Sequence, residues 1–319
     1  MAVTIKDVAR AAGVSAATVT RALSNPEVVR PSTRDRVKEI AASLGYHPNR
    51  AARGLITGRT GNLGLLVPDL GNPFFPSIVK GVQARAHEAD HAVFLADTDE
   101  DPAAEAGLVR KLAKQVDGVL LCSPRMAEAE LRELAAEVPV VLLYRRIPGV
   151  PSVTAEFLDG MRQAVSHLVA LGHRRVAYVA GPRSSWANRE RVRSLRAVAK
   201  GKVELVETGN VAPQFEGGVS VADRVLAERV TAVIAYNDLV ALGLLHRFAA
   251  RGVGVPGDIS VLGFDDIPLS AMVHPALTTV ALPKELAGQA GVDLLLRRHD
   301  KERRELPTQL MVRGSTGPA

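Results

Sequence analysis

The chain has 319 residues, of which 47% are hydrophobic and 4% aromatic. This length predicts two or three domains because it exceeds one ordinary core. The amino terminus lacks the charged and apolar pattern of an export signal, and no apolar run approaches the ~20 residues of a membrane span. The single cysteine, Cys122, permits neither an intrachain disulfide nor a clustered metal set. These features exclude an exported or membrane protein and predict cytoplasmic residence.

The net charge of +6 lies entirely in the first 60 residues. That segment holds ten Lys and Arg against four Asp and Glu, and the remainder holds 30 of each because the totals are 40 and 34. A basic head on a neutral body indicates a module that binds a polyanion, joined to a separate regulatory or ligand domain. A basic surface that is only solvated would give the same charge. The motifs within the head therefore have to distinguish between a polyanion-binding module and a solvated surface.

Three short helices are predicted in the head. Thr4 opens the first helix with a capping box that Asp7 completes, and apolar residues follow at helical spacing. Gly13 allows a tight turn, Ser15 caps a second helix, and a third helix follows the cap Ser32. A helix, a three-residue turn with glycine and a second helix have the spacing of a helix-turn-helix.

In a helix-turn-helix, the second helix enters the major groove with its amino-terminal residues first. This geometry would present Ser15, Ala16, Ala17, Thr20 and Arg21 to base edges and phosphates. Arg21 is the long donor of the set, and bidentate contact with guanine is its expected specific use. The alternative is an ordinary three-helix bundle in which an exposed Arg21 is merely solvated.

A connector follows at residues 49–58, with the sequence NRAARGLITG, and leads into a flexible run that ends at Gly61. Short helices are marginal in water, and Gly54 costs about 1 kcal/mol relative to alanine. The connector is therefore predicted to be helical only when a partner holds it, which suits a switch.

Beyond Gly61, short apolar runs typical of strands alternate with helical patterns. Strands are predicted at 63–67, 92–96, 118–121 and 138–142, and then at 176–180, 203–206, 232–235 and 259–263. Helices are predicted at 75–89, 102–114, 160–171, 187–198, 218–228 and 239–251. A repeated strand–helix order predicts doubly wound parallel sheets with helices on both faces. Two sets of four strands predict two similar α/β subdomains with a cleft between them.

Ligands of open α/β sheets bind beyond the carboxyl ends of the strands. Donor and acceptor side chains beside flat aromatic faces would suit a polyhydroxylated ligand. Alternatively, Asp and Asn at loop tips, such as Asp238 and Asp266, often only cap the next helix. The candidate ligand-binding residues are Asp69, Phe74, Arg146, Trp186, Arg189, Phe215, Asn237 and Asp265.

The runs TIKDVA at 4–9, GVSAATVTR at 13–21, TR at 33–34 and LGYHPN at 44–49 resemble the head of the lactose-repressor (LacI) family of bacterial transcription regulators. The resemblance implies that Ala16, Ala17 and Arg21 read bases. It makes residues 49–57 a hinge helix in the minor groove, where two subunits would insert Leu55 between central base pairs. The other implied DNA contacts and helix caps are Thr4, Ser15, Thr18, Asn25, Thr33, Asn49, Ala52 and Arg53.

Family landmarks continue through the body, including NPFF at 72–75, AYND at 235–238, GFDD at 263–266 and PALTTV at 275–280. The resemblance therefore covers essentially residues 3–317 and implies a periplasmic-binding-protein-like core with three chain crossings near residues 153, 282 and 303. The implied domains are a head at 1–48, a hinge and linker at 49–60, and a core at 61–319 whose subdomains are 61–153 plus 282–302 and 154–281 plus 303–319. In sugar-responsive members, the positions of Arg189, Asn237 and Asp265 hold the effector, and that of Phe74 lines the pocket.

Two motifs suggest enzymes but lack the required context. HEADH at 87–91 spells a zinc-protease pattern, yet the helix is expected to stop near Asp90 and no third ligand is indicated. GVGVPG at 252–257 precedes a strand, whereas a phosphate cradle needs a following helix. The sequence thus predicts no catalytic residues, no metal and no cofactor.

The sequence therefore predicts a DNA-binding transcriptional repressor of the bacterial cytoplasm, associated with the nucleoid when bound to DNA. A homodimer would bind a pseudo-palindromic double-stranded operator, and a sugar or sugar derivative in the cleft would control binding allosterically. The chain ends without the leucine-rich tail that tetramerises the lactose repressor, which favours a dimer. The alternatives are a purine-type, corepressor-dependent regulator, a solute-binding protein, and a sugar-converting enzyme, the last of which lacks a paired acid and base.

Overall fold

The computed structural model describes residues 3–24, 26–46, 59–297 and 302–319. Contacts divide the chain into two units, Met1–Gly61 and Asn62–Ala319. The predicted hinge helix lies outside the described residues, and so do the expected DNA contacts Asn25, Asn49, Ala52, Arg53 and Leu55. Across the described ranges, no helix is both long and apolar enough to cross a membrane.

The described part of the head contains three α-helices: α1 (Ile5–Ala12), α2 (Ala16–Ser24) and α3 (Pro31–Ser43). Helix α1 begins at the predicted capping box, where the Asp7 carboxylate accepts hydrogen bonds from the main-chain N–H and the hydroxyl of Thr4 at 3.0 and 2.6 Å. Gly13 ends α1 with φ +63°, a left-handed conformation that glycine adopts without strain. Helix α3 begins at Pro31, so Ser32 lies inside it and is not its cap as predicted; the fixed φ of proline suits a first helical turn. The shared apolar centre consists of Val8, Ala9, Ala12, Val19, Ala22, Val37 and Ala41.

The second unit is built on two sheets. Its described strands, in chain order, are β1 (Asn62–Val67), β2 (Ala92–Asp97), β3 (Val119–Cys122), β4 (Val140–Leu143), β5 (Ser152–Ala155), β6 (Arg175–Ala180), β7 (Glu204–Asn210), β8 (Ala232–Ala235), β9 (Ser260–Asp265), β10 (Thr278–Ala281), β11 (Arg303–Leu306) and β12 (Gln309–Met311). The first sheet has the order β11-β5-β4-β3-β1-β2 and the second the order β12-β10-β9-β8-β6-β7. The pairings are parallel except that β12 runs antiparallel to β10.

Helices cover both faces of the first sheet. Those of the core, in chain order, are α4 (Phe74–Glu88), α5 (Pro102–Leu112), α6 (Glu128–Glu137), α7 (Phe157–Ala170), α8 (Trp186–Ala199), α9 (Phe215–Ala227), α10 (Asp238–Ala250), α11 (Leu269–Met272) and α12 (Lys284–Arg297). Successive residues of a strand point to opposite faces. Leu65 of β1 accordingly joins the cluster that contains Ile78 of α4, and Leu66 joins the cluster that contains Val109 of α5. Burial on both faces explains why the central strands are continuous apolar runs.

The sequence predicted four strands in each sheet, and the described residues form six in each. The additional strands β5, β10, β11 and β12 are three or four residues long. Strands β3, β4 and β8 are equally short but wholly apolar, whereas the additional strands contain polar residues, so the pattern gave no signal for them. Helices α6, α11 and α12 also lie outside the predicted helix ranges.

The expected chain crossings need correction. Strand β11 pairs with β5 in the first sheet, from Arg303 beside Ser152 to Leu306 beside Ala155. Residues 154–155 and 303–306 therefore belong to the first subdomain, although they were assigned to the second. The chain leaves the first sheet after Ala155, returns between β10 and α12, and leaves again after Leu306. The first and third crossings thus lie a few residues later than predicted, because sheet hydrogen bonding extends up to them.

Candidate ligand cleft and nucleic-acid interface

A cleft lies between the two subdomains, beyond the carboxyl ends of strands from both sheets, where parallel α/β sheets bind ligands. The first subdomain contributes loops after β1 to β4, and the second contributes loops after β6 to β9. The enclosed space has a volume of about 20 Å³, enough for about one water molecule. Its walls are formed by Asn72, Phe74, Phe75, Glu100, Ser123, Arg125, Tyr144, Ala187, Arg191, Pro213, Tyr236, Asn237 and Asp265.

The first wall is centred on Arg125. Its Nε and Nη2 donate to the two carboxylate oxygens of Glu100 at 2.7 and 2.8 Å, and Nη1 donates to the carbonyl and hydroxyl oxygens of Ser123 at 3.1 and 2.9 Å. The buried Glu105 carboxylate accepts the main-chain N–H groups of Arg125 and Met126 at 2.6 and 2.8 Å. Burial raises the pKa of the Glu105 carboxyl, and these two bonds oppose that rise. The Arg125 loop is therefore fixed through both its side chain and its backbone.

The second wall is centred on Arg191 of α8. Its Nη2 donates to Asp265 Oδ1 at 3.0 Å, and its Nη1 donates to the Tyr236 carbonyl. The guanidinium carbon lies 4.0 Å from the centre of the Phe264 ring and 4.9 Å from that of Tyr236, which is cation–π geometry. Burial raises the pKa of the Asp265 carboxyl to about 7, although the neighbouring Arg191 lowers it. Each wall thus carries one guanidinium–carboxylate pair with a buried arginine; Asp265 is also buried, and Glu100 is half-buried.

Two atoms at the cleft retain unused hydrogen-bonding capacity. Within the described part of the chain, the buried Tyr144 Oη and Arg191 Nε have no hydrogen-bond partner. Buried polar atoms are nearly always bonded, so each unpaired one needs an explanation. Ser123, Tyr144 and Asp265 also adopt φ of +46°, +55° and +120°, a strained region for residues other than glycine. Unused donors and backbone strain at the same strand ends indicate a site shaped for a ligand.

Three of the candidate ligand-binding residues, Phe74, Asn237 and Asp265, line this cleft. The Asn237 side chain also does what the helix-cap alternative requires, since its Oδ1 accepts the Val240 N–H at 2.9 Å and caps α10. Asp69 lies at the cleft edge, where its Oδ2 is 3.4 Å from Nε2 of Gln214 in the other subdomain. The strand-end rule therefore selected residues from both sides of the cleft.

The other candidates lie elsewhere. Arg146 pairs with Glu305 at 3.1 Å, and with Trp186 it lines a separate cavity of about 420 Å³ beside the chain crossings. The Phe215 ring packs against His246, with ring centres 5.4 Å apart. None of these side chains is part of the lining of the central cleft as the described residues form it.

Arg189 does not line the central cleft either, and the arginine of α8 that does is Arg191. Arg189 is exposed and donates to the carbonyls of residues 183 and 184 at 3.0 and 3.3 Å. Two residues on a helix are separated by about 200° of rotation, so the two side chains lie on nearly opposite faces of α8. Ala187, Arg191 and Leu195 recur at a spacing of four residues on the buried face, and this period could have identified Arg191.

Glu100, Arg125 and Tyr144 are likewise absent from the predicted set, although each follows a predicted strand by a few residues. The strand-end rule could have found them. The loop at 97–101, however, reads DTDED and offers four acidic residues. Nothing local to that loop indicates which of its carboxylates faces the cleft.

In the head, part of the predicted reading surface at the start of α2 is exposed. Ser15, Ala17 and Arg21 are exposed, whereas Ala16, Thr18 and Thr20 are half-buried. The Ser15 hydroxyl accepts the Thr18 N–H at 3.1 Å, so Ser15 caps α2 as predicted. Thr4 is engaged with Asp7, and Thr33 is half-buried at the start of α3.

The two units define a helix-turn-helix head joined to a ligand-binding core of two α/β subdomains. Residues 4–49 match the model of bacterial regulatory proteins of the lacI family, and residues 165–316 match that of the periplasmic binding protein-like domain. The chain is 34% identical to catabolite control protein A of Priestia megaterium over 317 residues, 95% of this chain and 94% of that protein. It is 33% identical to the ribose operon repressor of Halalkalibacterium halodurans over 326 residues, 98% and 97% of the two chains.

The crystal structure of the lac repressor dimer bound to operator and the anti-inducer ONPF resembles this structure with a TM-score of 0.87 and 30% sequence identity, covering 99% of this chain and 100% of that one. The chain belongs to the LacI family of bacterial transcriptional regulators. This is a non-enzymatic family whose members bind DNA operators and small-molecule effectors. The predicted fold class and the predicted role as a DNA-binding transcriptional regulator are confirmed.

Proposed function

We propose that this regulator is a homodimeric repressor that acts in the cytoplasm on a pseudo-palindromic operator and is controlled by a sugar or sugar derivative bound in the cleft. One observation carries the sugar assignment: each wall of the cleft presents a guanidinium–carboxylate pair whose arginine is buried, Arg125 with Glu100 and Arg191 with Asp265. Such a pair is close to neutral and offers a donor and an acceptor side by side.

A sugar hydroxyl both donates and accepts, so it can bond to the two members of such a pair at once. Tyr144 Oη and Arg191 Nε supply further bonding capacity within the described lining. A buried polar group without a partner costs about 1–3 kcal/mol, so a ligand that pairs these atoms gains this amount. The name of one relative, the ribose operon repressor, refers to a sugar operon and also favours this class.

Contacts of Lys284 support a coupling between ligand binding in the cleft and the relative arrangement of the two subdomains. It begins α12 of the first subdomain, and its Nζ donates to the carbonyl oxygens of Asp265 and Asp266 in the second, at 2.5 and 2.9 Å. Asp69 and Gln214 form a second contact across the cleft. The enclosed space of about 20 Å³ holds about one water molecule, so a sugar on Asp265 requires an arrangement of the subdomains in which the cleft is wider and these bonds are broken. Sugar binding therefore shifts the population toward that arrangement.

Helix α12 also packs closely on α4, whose first residue, Phe74, lines the cleft. A Cβ added at Gly81 of α4 would clash with the main-chain carbonyl of Glu285 of α12. Because a packed interface moves as a unit, this close backbone approach couples the chain crossing that leads into α12, at Lys284, to the cleft residue Phe74.

Exposed apolar residues support the homodimer. Strand β2 is the edge of the first sheet, and its Phe94 and Leu95 are 36% and 39% exposed. Met272 on α11 of the second subdomain is 76% exposed. An apolar edge strand invites pairing with another chain, and a second copy would cover both subdomains. The lac repressor relative is itself a dimer.

The DNA-binding part of the proposal uses the head and the connector. Ala16, Ala17 and Arg21 would read base edges, and the paired connectors would order in the minor groove, with Leu55 as an apolar wedge. Ordering two connectors together requires two subunits at a fixed spacing. An effector that changes this spacing would therefore change operator affinity.

A gel-shift titration with genomic fragments, followed by a thermal-shift screen over sugars and nucleobases, tests the proposal. We expect one palindromic fragment to be retained at physiological salt and one sugar both to stabilise the protein and to change that retention. A ligand at 100 times its dissociation constant stabilises by about 2.7 kcal/mol, which such a screen detects. A persistent monomer without preference among duplexes would refute the DNA-binding proposal, and a response to nucleobases alone would refute the sugar assignment.

A further inference from the structure

Arg125 is a large cation placed inside the cleft, and its side chain is 2% exposed. Glu100 occupies its Nε and Nη2, and Ser123 accepts twice from Nη1. These contacts use four of the five N–H donors of a guanidinium. The charge of Arg125 is therefore matched by a carboxylate, and among the described residues one of its N–H groups, on Nη2, remains for a ligand hydroxyl.

The opposite wall repeats this balance. Arg191 and Asp265 are 4% and 6% exposed and lie 3.0 Å apart. Each of the two cations that line the cleft is thus paired with a carboxylate. An anionic ligand would have to displace Glu100 from Arg125 or remain without a counter-charge, and both are unfavourable in a buried site. An uncharged polyol meets neither obstacle.

We propose that the Glu100–Arg125 pair determines effector specificity: it makes the cleft select an uncharged polyhydroxylated effector and reject sugars that carry a carboxylate or phosphate group. This inference rests on the proposed sugar-responsive function and adds the class of sugar. Glu100 acts by masking Arg125, so removing the charge of Glu100 converts the cleft into an anion site without moving the cation.

Two features make Glu100→Gln a clean way to unmask Arg125. Glutamine keeps the shape of Glu100 and one acceptor oxygen, so one of the two hydrogen bonds from the guanidinium survives. The Arg125 backbone is held independently by Glu105, through the N–H groups of Arg125 and Met126. The guanidinium therefore stays in place while the cleft gains one net positive charge.

Glu137→Gln is the matched control. Glu137 lies in the same subdomain and also accepts from an arginine, with Arg110 Nε at 3.0 Å, but it is exposed and does not line the cleft. It changes the net charge of the protein by the same amount as Glu100→Gln. The double variant Glu100→Gln/Arg125→Gln removes both charges and serves as the neutral reference.

The probes are pairs of sugars that differ in charge: glucose with glucuronate, galactose with galacturonate, and ribose with ribose 5-phosphate. Isothermal titration with the full-length protein measures each affinity. We expect the wild type to bind a neutral member at least about 10-fold tighter than its anionic partner, since a charged group that is buried without a counter-charge carries a desolvation penalty of this size or more. In Glu100→Gln the preference should reverse and weaken with added salt. Glu137→Gln should match the wild type, and the double variant should lose the gained anion binding.

Arg125→Gln provides an independent arm if Glu100→Gln does not fold. It leaves the Glu100 carboxylate unmasked, so the amino sugar glucosamine should gain at least about 10-fold over glucose. If the wild type binds a neutral sugar and Glu100→Gln shows the same ratio of neutral to anionic affinity, the inference is overturned and the proposed function stays intact. A wild type that prefers the anionic partner also overturns it. Failure of every sugar, neutral or anionic, to bind the wild type overturns the proposed sugar response itself.

Discussion

Replacing Arg191 by Met should disable the cleft, whereas the same substitution two residues earlier, Arg189→Met, should have almost no effect. Arg191 is 4% exposed and donates to the Asp265 carboxylate and the Tyr236 carbonyl. Arg189 is exposed and donates to two loop carbonyls. Because both variants remove one positive charge from the same helix, the comparison separates the effect of burial from that of net charge.

The expected losses in the free energy of unfolding differ severalfold. Removing one partner of a buried ion pair costs about 3–5 kcal/mol, because the other charge is left uncompensated. Burial already raises the pKa of Asp265 to about 7, so its carboxyl can take up a proton near neutral pH. This proton uptake limits the loss for Arg191→Met to about 3 kcal/mol. Arg189→Met should change the free energy by less than about 0.5 kcal/mol, as surface substitutions do.

The effect of Arg191→Met should grow with pH. Arg191 lowers the pKa of Asp265, so its removal raises that pKa further above the usual value of 3.8. The native state then holds a proton that the unfolded state has released, and stability falls as the pH rises toward the raised native pKa. Urea titrations at pH 6 and pH 8 measure this, with the larger loss expected at pH 8. Equal stabilities of the two arginine variants, or a loss that shrinks as pH rises, would refute the placement of Arg191.

Three further predictions concern the DNA response. Leu55→Ala should weaken operator binding about 10-fold or more in gel-shift titrations and leave sugar affinity unchanged, because an apolar wedge acts only on the DNA. Equal operator affinities of this variant and the wild type would count against the hinge. Lys284→Met should retain sugar binding by isothermal titration yet reduce the effect of the sugar on operator binding, since it removes the bonds between the subdomains. Lys80→Met, on the exposed side of α4, is its control, and an unchanged effect of the sugar in the Lys284 variant would contradict the proposed coupling through Lys284. Phe94→Glu should shift the protein toward monomer in sedimentation experiments and weaken operator binding, because a charge on the β2 edge opposes pairing; an unchanged dimer would exclude this edge.

Much of the fold could be predicted from sequence because its signals are local. The capping box at Thr4 and Asp7 and the turn at Gly13 formed as the residues indicated. Central strands such as β3 and β8 are buried along their whole length, so they appear as continuous apolar runs. The short strands at the crossings have no such signal, because hydrogen bonds to a neighbouring strand make them strands.

The cleft was predictable in outline and not in composition. Strand ends indicated Phe74, Asn237 and Asp265, which line it. The strand-end rule or the family resemblance also selected Arg146, Trp186 and Arg189, which lie elsewhere. Distance along the chain does not specify the direction in which a side chain points. On α8, a shift of two residues exchanges an exposed arginine for a buried one.

By itself, the sequence determined the basic head, the alternation of strands and helices, and membership of a family of DNA-binding regulators, since charge, periodicity and motifs are properties of neighbouring residues. Only the tertiary structure decided which charges meet in the cleft. The partners of Arg125 and Arg191 lie 25 and 74 positions away along the chain. They are brought together because parallel sheets align the ends of strands that are distant in sequence. Burial then increases the free energy that is lost when one partner is removed.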